Sequence, residues 1–215
     1  MRYRYLLFDL DGTLTYSHKG IYNCLRYAFE KMGKDIPPET QLKKAIGPTL
    51  FDTFTRIFSM TEKEAEEGVR LYRERYSTLG LFENEPIKGS LELLTEVKTR
   101  GYKTALATAK PKVYADQIAV KFGFAPYFDL LAVATLSKHS TKSTVVADCI
   151  RLLGAKKEEC LMIGDRADDV LGARENGVDC AAVLSGYAEA EEIENAAPKY
   201  QFNDLFELKK FLLEN

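Results

Sequence analysis

The sequence lacks the features that mark nucleic-acid-binding and membrane proteins. Its 30 Lys and Arg residues against 32 Asp and Glu residues leave a net charge of −2, so no basic surface for nucleic acid or anionic lipid is expected. The apolar run Tyr5–Phe8 is far shorter than the ~20 residues that span a bilayer, and no small-residue cleavage site follows it. We therefore expect a cytoplasmic protein with no membrane or nucleic-acid partner.

The sequence also lacks any cysteine pairing pattern. The four cysteines stand far apart, without the short paired spacings of a zinc site or the dense spacing of a disulfide framework. Reduced, buried thiols are the expected state of Cys24, Cys149, Cys160 and Cys180.

What is present is a pair of acids directly after a short apolar run. Tyr5–Phe8 has the composition of a buried strand, and it is followed by Asp9, Leu10, Asp11 and the turn residue Gly12. Ligands of open α/β sheets bind at the carboxyl ends of the strands. Two carboxylates at such a point suit either a hard divalent metal or a nucleophile beside an acid-base partner.

The stretch after Leu14 has helical periodicity and no strand signal. Apolar residues recur three and four positions apart in four successive segments, which are separated by Gly and Pro. We predict a small helical domain over residues 16–82, inserted after the first strand.

From Pro86 onward, strand and helix patterns alternate. Alternating strands and helices predict a parallel sheet covered on both faces, so residues 1–15 and 83–215 are expected to form one α/β domain. The predicted strands after the first are Tyr102–Thr108, Leu130–Ala134, Cys160–Ile163, Cys180–Leu184 and Tyr200–Phe202.

Four polar signals fall where strands end or helices begin. They are the acid pair after the first strand, Thr108 with Ala109 and Lys110, Lys142 before a helix, and the segment GDRADD that starts at Gly164. Each alone has an ordinary explanation as a turn, a helix cap or a surface charge. Their recurrence at matched positions favours one shared site at the carboxyl edge of the sheet.

The motifs DLDGTLT, LATAK, Lys142 and GDRADD, in this order and spacing, resemble the four motifs of the haloacid dehalogenase superfamily. The resemblance covers nearly the whole chain and is greatest to the phosphoglycolate phosphatase-like and 5′-nucleotidase-like branch. It implies a Rossmann-like three-layer core, and the helical insertion matches the subclass C1 cap, a small four-helix-bundle-like domain.

The resemblance also implies catalytic roles. Asp9 would be the nucleophile that forms an aspartyl-phosphate, and Asp11 would protonate the leaving oxygen and then deprotonate the attacking water. Thr108 would bind the phosphoryl oxygens, and Lys142 would neutralise charge on the phosphoryl group and on Asp9. Covalent capture is physically reasonable because it divides one difficult step into two easier ones.

A Mg²⁺ cofactor follows from the same resemblance. Its implied ligands are the Asp9 carboxylate, the backbone carbonyl of Asp11 and Asp165, with Asp169 supporting directly or through water. All of these are oxygen ligands, as Mg²⁺ prefers.

Two further positions are expected to contact the substrate. Ala109 stands where relatives often carry Ser or Asn, so only its backbone N–H could contact phosphate. Gly47 lies in the turn that faces the active site in capped relatives, and Lys43 and Lys44 precede it.

These implications favour a phosphatase of small phosphomonoesters, active as a monomer, with a dimer left open. Asp11 argues against a dehalogenase or a phosphonate hydrolase, and the insertion with GDRADD argues against a receiver domain. The presence of all four motifs argues against a non-catalytic binding protein. A β-phosphoglucomutase-like mutase stays an alternative, and phosphoglycolate, nucleoside 5′-monophosphates and sugar phosphates are all open as substrates.

Overall fold

The computed structural model describes residues 2–136 and 140–214, which divide into two compact units. Unit 1 comprises Met1–Thr15 and Pro86–Asn215, and unit 2 comprises Tyr16–Glu85. The helical unit thus continues three residues beyond the predicted end at residue 82. The reason is that Glu83 is bound within it: its carbonyl accepts the Gly20 N–H at 3.0 Å, and its carboxylate pairs with Arg75 at 2.7 Å.

Strands are numbered in chain order. They are β1 (Tyr5–Phe8), β2 (Thr15–Tyr16), β3 (Glu85–Pro86), β4 (Lys103–Leu106), β5 (Cys160–Gly164), β6 (Asp179–Val183) and β7 (Tyr200–Phe202). In the described part of the chain, five of them form one parallel sheet in the order β4-β1-β5-β6-β7, and β2 and β3 form a separate two-stranded sheet. Strand β1 is therefore an interior strand between β4 and β5, which places the loop after Phe8 between the segments that follow those two strands at the carboxyl edge.

Helices connect the strands of unit 1. They are α5 (Ser90–Thr99), α6 (Lys112–Lys121), α7 (Lys142–Leu153), α8 (Ala167–Glu175), α9 (Ala190–Ala196) and α10 (Leu205–Glu214). Among the described residues, no helix is both long enough and apolar enough to cross a bilayer.

The sheet is buried on both faces. Leu7 and Met162 pack with Val146 of α7 and Val170 of α8 in one core cluster. Neighbouring strand residues point to opposite faces, and Leu6 on the other face is also fully buried. The structure is thus a three-layer α/β domain, as the sequence predicts.

One predicted strand is absent. The segment Leu130–Ala134 meets the sheet only at a single bridge between Ala105 and Leu130, beside β4. Leu130 exchanges backbone hydrogen bonds with β4, but the Ala134 carbonyl accepts the N–H of Lys112, the first residue of α6, at 2.8 Å. A run of apolar residues does not reveal that the end of the segment is bound to a helix.

Unit 2 contains α1 (His18–Lys31), α2 (Glu39–Lys44), α3 (Leu50–Asp52) and α4 (Glu62–Tyr76). Helices α1 and α4 pack together, and Phe29 and Phe54 stack with ring centroids 6.2 Å apart. The third of the four predicted helical segments is not an α-helix throughout. Helix α3 continues as a π-helix over Thr53–Ile57. The spacing of apolar residues does not distinguish these two helix types over so short a segment.

Candidate active site

The loop after β1 is a tight turn built around one carbonyl group. The Leu10 carbonyl accepts the N–H groups of Leu14 and Thr15, each at 2.9 Å. Gly12 has a φ of +86°, a conformation that side-chain-bearing residues rarely adopt. A Cβ at Gly12 would also overlap the Asp165 carboxylate. The glycine therefore allows the turn to approach the GDRADD segment closely.

Lys142, the first residue of α7, connects three parts of the site. Its Nζ donates to Asp9 Oδ1 at 2.6 Å and to the Ala107 carbonyl at 3.1 Å, and it pairs with Asp169 Oδ1 at 2.7 Å. Burial alone would lower the pKa of Lys142, but Asp169 and Asp9 outweigh it and raise the pKa. Lys142 is therefore a permanent positive charge between two carboxylates.

Two further carboxylates of the site, those of Asp165 and Asp169, follow β5. Asp169 Oδ2 accepts the N–H groups of Asp165 at 3.1 Å and Arg166 at 3.0 Å, which closes the turn into α8. Asp165 accepts the Tyr187 N–H at 2.7 Å and the Thr13 hydroxyl at 3.2 Å. Both aspartates are thus held in fixed orientations.

Three of these carboxylates could hold a cation. Asp9, Asp165 and Asp169 each place an oxygen within 4.8 Å of the others, and all three residues are buried. Burial raises the pKa of Asp165 well above its usual range, with Asp169 and Asp9 adding to the effect. Burial also raises the pKa of Asp169 to about 6, although Lys142 acts to lower it. Buried, mutually repelling oxygen donors fit a hard divalent cation, which would offset their charge.

A second lysine lies on the other side of the acid pair. Lys110 Nζ pairs with Asp11 Oδ2 at 2.8 Å, and the Lys110 N–H donates to Thr108 Oγ1 at 3.2 Å. Thr108 is buried and follows β4, the neighbour of β1. Because its oxygen accepts from Lys110, the Thr108 hydroxyl proton can be donated to an incoming acceptor.

The structure places most of the predicted residues at one edge of unit 1. Asp9, Lys142, Asp165 and Asp169 are linked by direct contacts or shared partners, and Asp11 and Thr108 are linked through Lys110. Ala109 lies between Thr108 and Lys110. Gly47 belongs to unit 2, so its substrate contact stays a prediction. The catalytic and metal-binding roles of all eight residues likewise stay proposals.

The sequence analysis missed several contributors. The Thr13 hydroxyl and the Tyr187 N–H both hold Asp165, and a Cβ at Gly186 would overlap that same side chain. Gly186 follows the end of β6, so a turn signal at the carboxyl edge could have drawn attention to it. Lys110 was visible beside Thr108, but nothing in the sequence named Asp11 as its partner.

Comparison with known proteins identifies the family. The family model for haloacid dehalogenase-like hydrolases matches residues 6–183. A 5′-nucleotidase of Pseudomonas aeruginosa is 38% identical over 99% of this chain and 96% of its own. A tyrosine-protein kinase PtkA of Mycobacterium tuberculosis is 34% identical over 89% of this chain and 66% of its own.

Solved structures agree with the fold. The crystal structure of a predicted phosphatase from Clostridium acetobutylicum aligns with a TM-score of 0.95 and 36% identity, covering 100% of both chains. The predicted fold class and the predicted phosphatase class are confirmed by these relatives. The chain belongs to the haloacid dehalogenase-like hydrolase family.

Proposed function

We propose that the chain is a Mg²⁺-dependent phosphatase that hydrolyses small phosphomonoesters, with nucleoside 5′-monophosphates as the first substrate class to test. The observation that carries this proposal is the pairing of each acid after β1 with its own lysine, Asp9 with Lys142 and Asp11 with Lys110. The similarity to a 5′-nucleotidase supports the choice of substrate class.

The proposed reaction assigns one step to each of these groups. A carboxylate oxygen of Asp9 attacks phosphorus and forms an O–P bond as the ester O–P bond breaks. Asp11 gives its proton to the leaving oxygen, and Thr108 and Lys142 hold the phosphoryl oxygens. Asp11 then takes a proton from water, which attacks the aspartyl-phosphate and releases inorganic phosphate, restoring Asp9.

The metal ligands would be Asp9, the Asp11 carbonyl and Asp165, with Asp169 close behind. When bound, Mg²⁺ would neutralise negative charge on the phosphoryl group. Excess EDTA should abolish phosphate release, and Mg²⁺ should restore it. The melting temperature (Tm) should also rise with Mg²⁺ concentration, because an ion that binds only the folded state stabilises it. Full activity in excess EDTA would remove the metal from the mechanism.

A panel of phosphomonoesters tests the substrate class. Phosphate release should show the highest kcat/KM with a nucleoside 5′-monophosphate, compared with phosphoglycolate and sugar phosphates. A higher kcat/KM for another ester would change the proposed substrate class but would not contradict the phosphatase proposal. Conversion of β-glucose 1-phosphate to the 6-phosphate faster than any phosphate release would instead favour the mutase alternative. Transfer from ATP to a tyrosine peptide, without hydrolysis of any ester, would favour a kinase.

We further propose that the enzyme acts in the cytoplasm as a monomer on a small phosphorylated metabolite. The four cysteines are buried and form no disulfide in the described part of the chain, and reduced thiols persist in reducing compartments. Cell fractionation tests the compartment, and sedimentation at several concentrations tests the oligomeric state.

A further inference from the structure

The Lys110 side chain makes an ion pair that the family motifs do not explain. Its Nζ lies 2.8 Å from Asp11 Oδ2, and the two side chains are only 7% and 14% exposed. Exposed ion pairs contribute little because water screens them, whereas removing one partner of a shielded pair leaves the other charge uncompensated. The position of the Asp11 carboxylate therefore depends on Lys110.

The two oxygens of Asp11 are in different environments. Oδ2 is bound by Lys110, whereas Oδ1 is buried and has no hydrogen-bond partner among residues 2–136 and 140–214. A buried oxygen without a partner is costly and can be satisfied by an incoming group. Oδ1 is therefore the oxygen that would give a proton to the leaving group and later take one from water.

Lys110 is also fixed at its backbone. Its N–H donates to Thr108 Oγ1 at 3.2 Å, so one residue connects a phosphate-binding hydroxyl with the acid-base carboxylate. The arrangement parallels that of Lys142, whose Nζ holds Asp9 Oδ1 at 2.6 Å. Each carboxylate after β1 is thus oriented by a separate ammonium group.

We infer that Lys110 is a positioning residue that holds Asp11 by one carboxylate oxygen and presents the other to the ester oxygen and the attacking water. This inference rests on the proposed phosphatase function and extends it to a residue with no assigned role. It differs from a simple electrostatic role on phosphate, because proton transfer matters most for poor leaving groups.

The test uses three aryl esters whose leaving oxygens need progressively less protonation: phenyl, 4-nitrophenyl and 2,4-dinitrophenyl phosphate. Lys110→Met removes the charge and keeps the length of the side chain. Because kcat/KM reports the steps up to the first irreversible one, it is measured for each ester. We expect a loss on the order of 10²-fold for phenyl phosphate, since a misplaced general acid costs about that much. For 2,4-dinitrophenyl phosphate the loss should be within about threefold, because that leaving group barely needs the acid.

Two variants serve as controls. Lys110→Arg keeps a cationic donor and should recover most of the phenyl phosphate activity. If Lys110→Met fails to fold, Lys110→Gln takes its place as the test variant. Lys112→Met removes a nearby exposed lysine that pairs with Asp116, and it should leave all three values unchanged. An equal loss on the three esters, or no loss on any, would overturn the inference.

A second readout does not depend on turnover. In crystal structures of wild type and Lys110→Met, the Asp11 carboxylate should leave its wild-type position in the variant. An unchanged Asp11 position overturns the inference even if the wild type hydrolyses every ester. Conversely, a wild type that hydrolyses no ester contradicts the proposed function, while the crystallographic comparison still decides the role of Lys110.

Discussion

Asp9 and Asp11 are two residues apart, but the structure holds them in different ways. Asp9 is buried and bound through Oδ1 by Lys142, whereas Asp11 is half-buried and keeps one oxygen without a partner in the described chain. A held carboxylate beside a permanent cation suits a nucleophile, and a carboxylate with one unpartnered oxygen suits proton transfer. Their substitutions should therefore fail at different steps.

Asp9→Asn should abolish turnover on every ester, because an amide is a poor nucleophile. Asp11→Asn should still attack 2,4-dinitrophenyl phosphate, release about one equivalent of dinitrophenol per enzyme and then stall, since no base activates water. Stopped-flow absorbance measures the burst, and intact-protein mass spectrometry detects the bound phosphoryl group. The exposed Asp168→Asn should behave as wild type. Continued turnover by Asp11→Asn at the wild-type rate would contradict the acid-base role.

Asp165 gives a prediction about stability without metal. Because burial raises its pKa, ionisation of Asp165 in the folded state lowers the free energy of unfolding, and this cost grows as the pH rises above about 4. Asp165→Asn removes the cost, since the amide oxygen can accept the Tyr187 N–H and the amide NH₂ can donate to Thr13. In EDTA at pH 7 the variant should therefore have a higher Tm than wild type.

The gain from Asp165→Asn should shrink as the pH falls towards 4, where the wild-type carboxyl is neutral. Scanning calorimetry across that range measures it, with Asp168→Asn as the matched control. The rise in Tm with Mg²⁺ should be lost in the Asp165 variant. A lower Tm for Asp165→Asn than for wild type in EDTA would show that burial does not strain this carboxylate.

At the scale of elements, the packing of α8 against the start of α7 positions Lys142. A Cβ at Gly172 in α8 would lie 2.9 Å from Lys142 Cγ and 2.9 Å from the Ser143 N atom, closer than real Cβ contacts. Gly172→Ala should favour the helix itself by about 1 kcal/mol yet displace Lys142. We expect kcat to fall by about 10- to 100-fold, because small misplacements of catalytic groups are costly. Glu175→Ala on the same helix is the control, and an unchanged kcat for Gly172→Ala would mean that Lys142 tolerates the shift.

Elements also show where sequence-based prediction succeeds and fails. Strand β1 and the strands that follow β3 were predicted because an apolar run bounded by turn residues is a local property. Segment Leu130–Ala134 has the same property, but the Ala134 carbonyl binds the Lys112 N–H of α6, which only the folded structure reveals. The ion pair of Lys110 with Asp11 joins distant parts of the chain, and its formation depends on side-chain directions that no spacing encodes.

The positions of Thr108 and Lys142 were identifiable from the family motifs. The hydrogen bond from Tyr187 to Asp165 was not, because its donor is a backbone N–H, which every residue except proline carries.

At the scale of the whole molecule, the two units divide the expected tasks. The proposed chemistry residues belong to unit 1, whereas unit 2 has an aromatic core of its own that includes Phe29, Phe54 and Phe58. A unit that contributes no catalytic group can still choose which substrate reacts, as loops that close over an active site commonly do. The predicted place for this choice is the turn at Gly47, whose φ of +113° requires glycine, together with the lysines before it.

We therefore expect Lys43→Ala and Lys44→Ala to change substrate preference more than chemistry. The kcat/KM for the preferred natural ester should fall at least about tenfold, the loss expected when a charged hydrogen bond to substrate is removed. The value for 4-nitrophenyl phosphate should stay within about twofold, because its small generic group needs no such contact. Lys63→Ala, an exposed lysine of α4 in the same unit, controls for a general effect of lost charge. A parallel loss on both esters with an unchanged Tm would assign unit 2 to catalysis itself, and a parallel loss with a lowered Tm would make this turn a structural element instead.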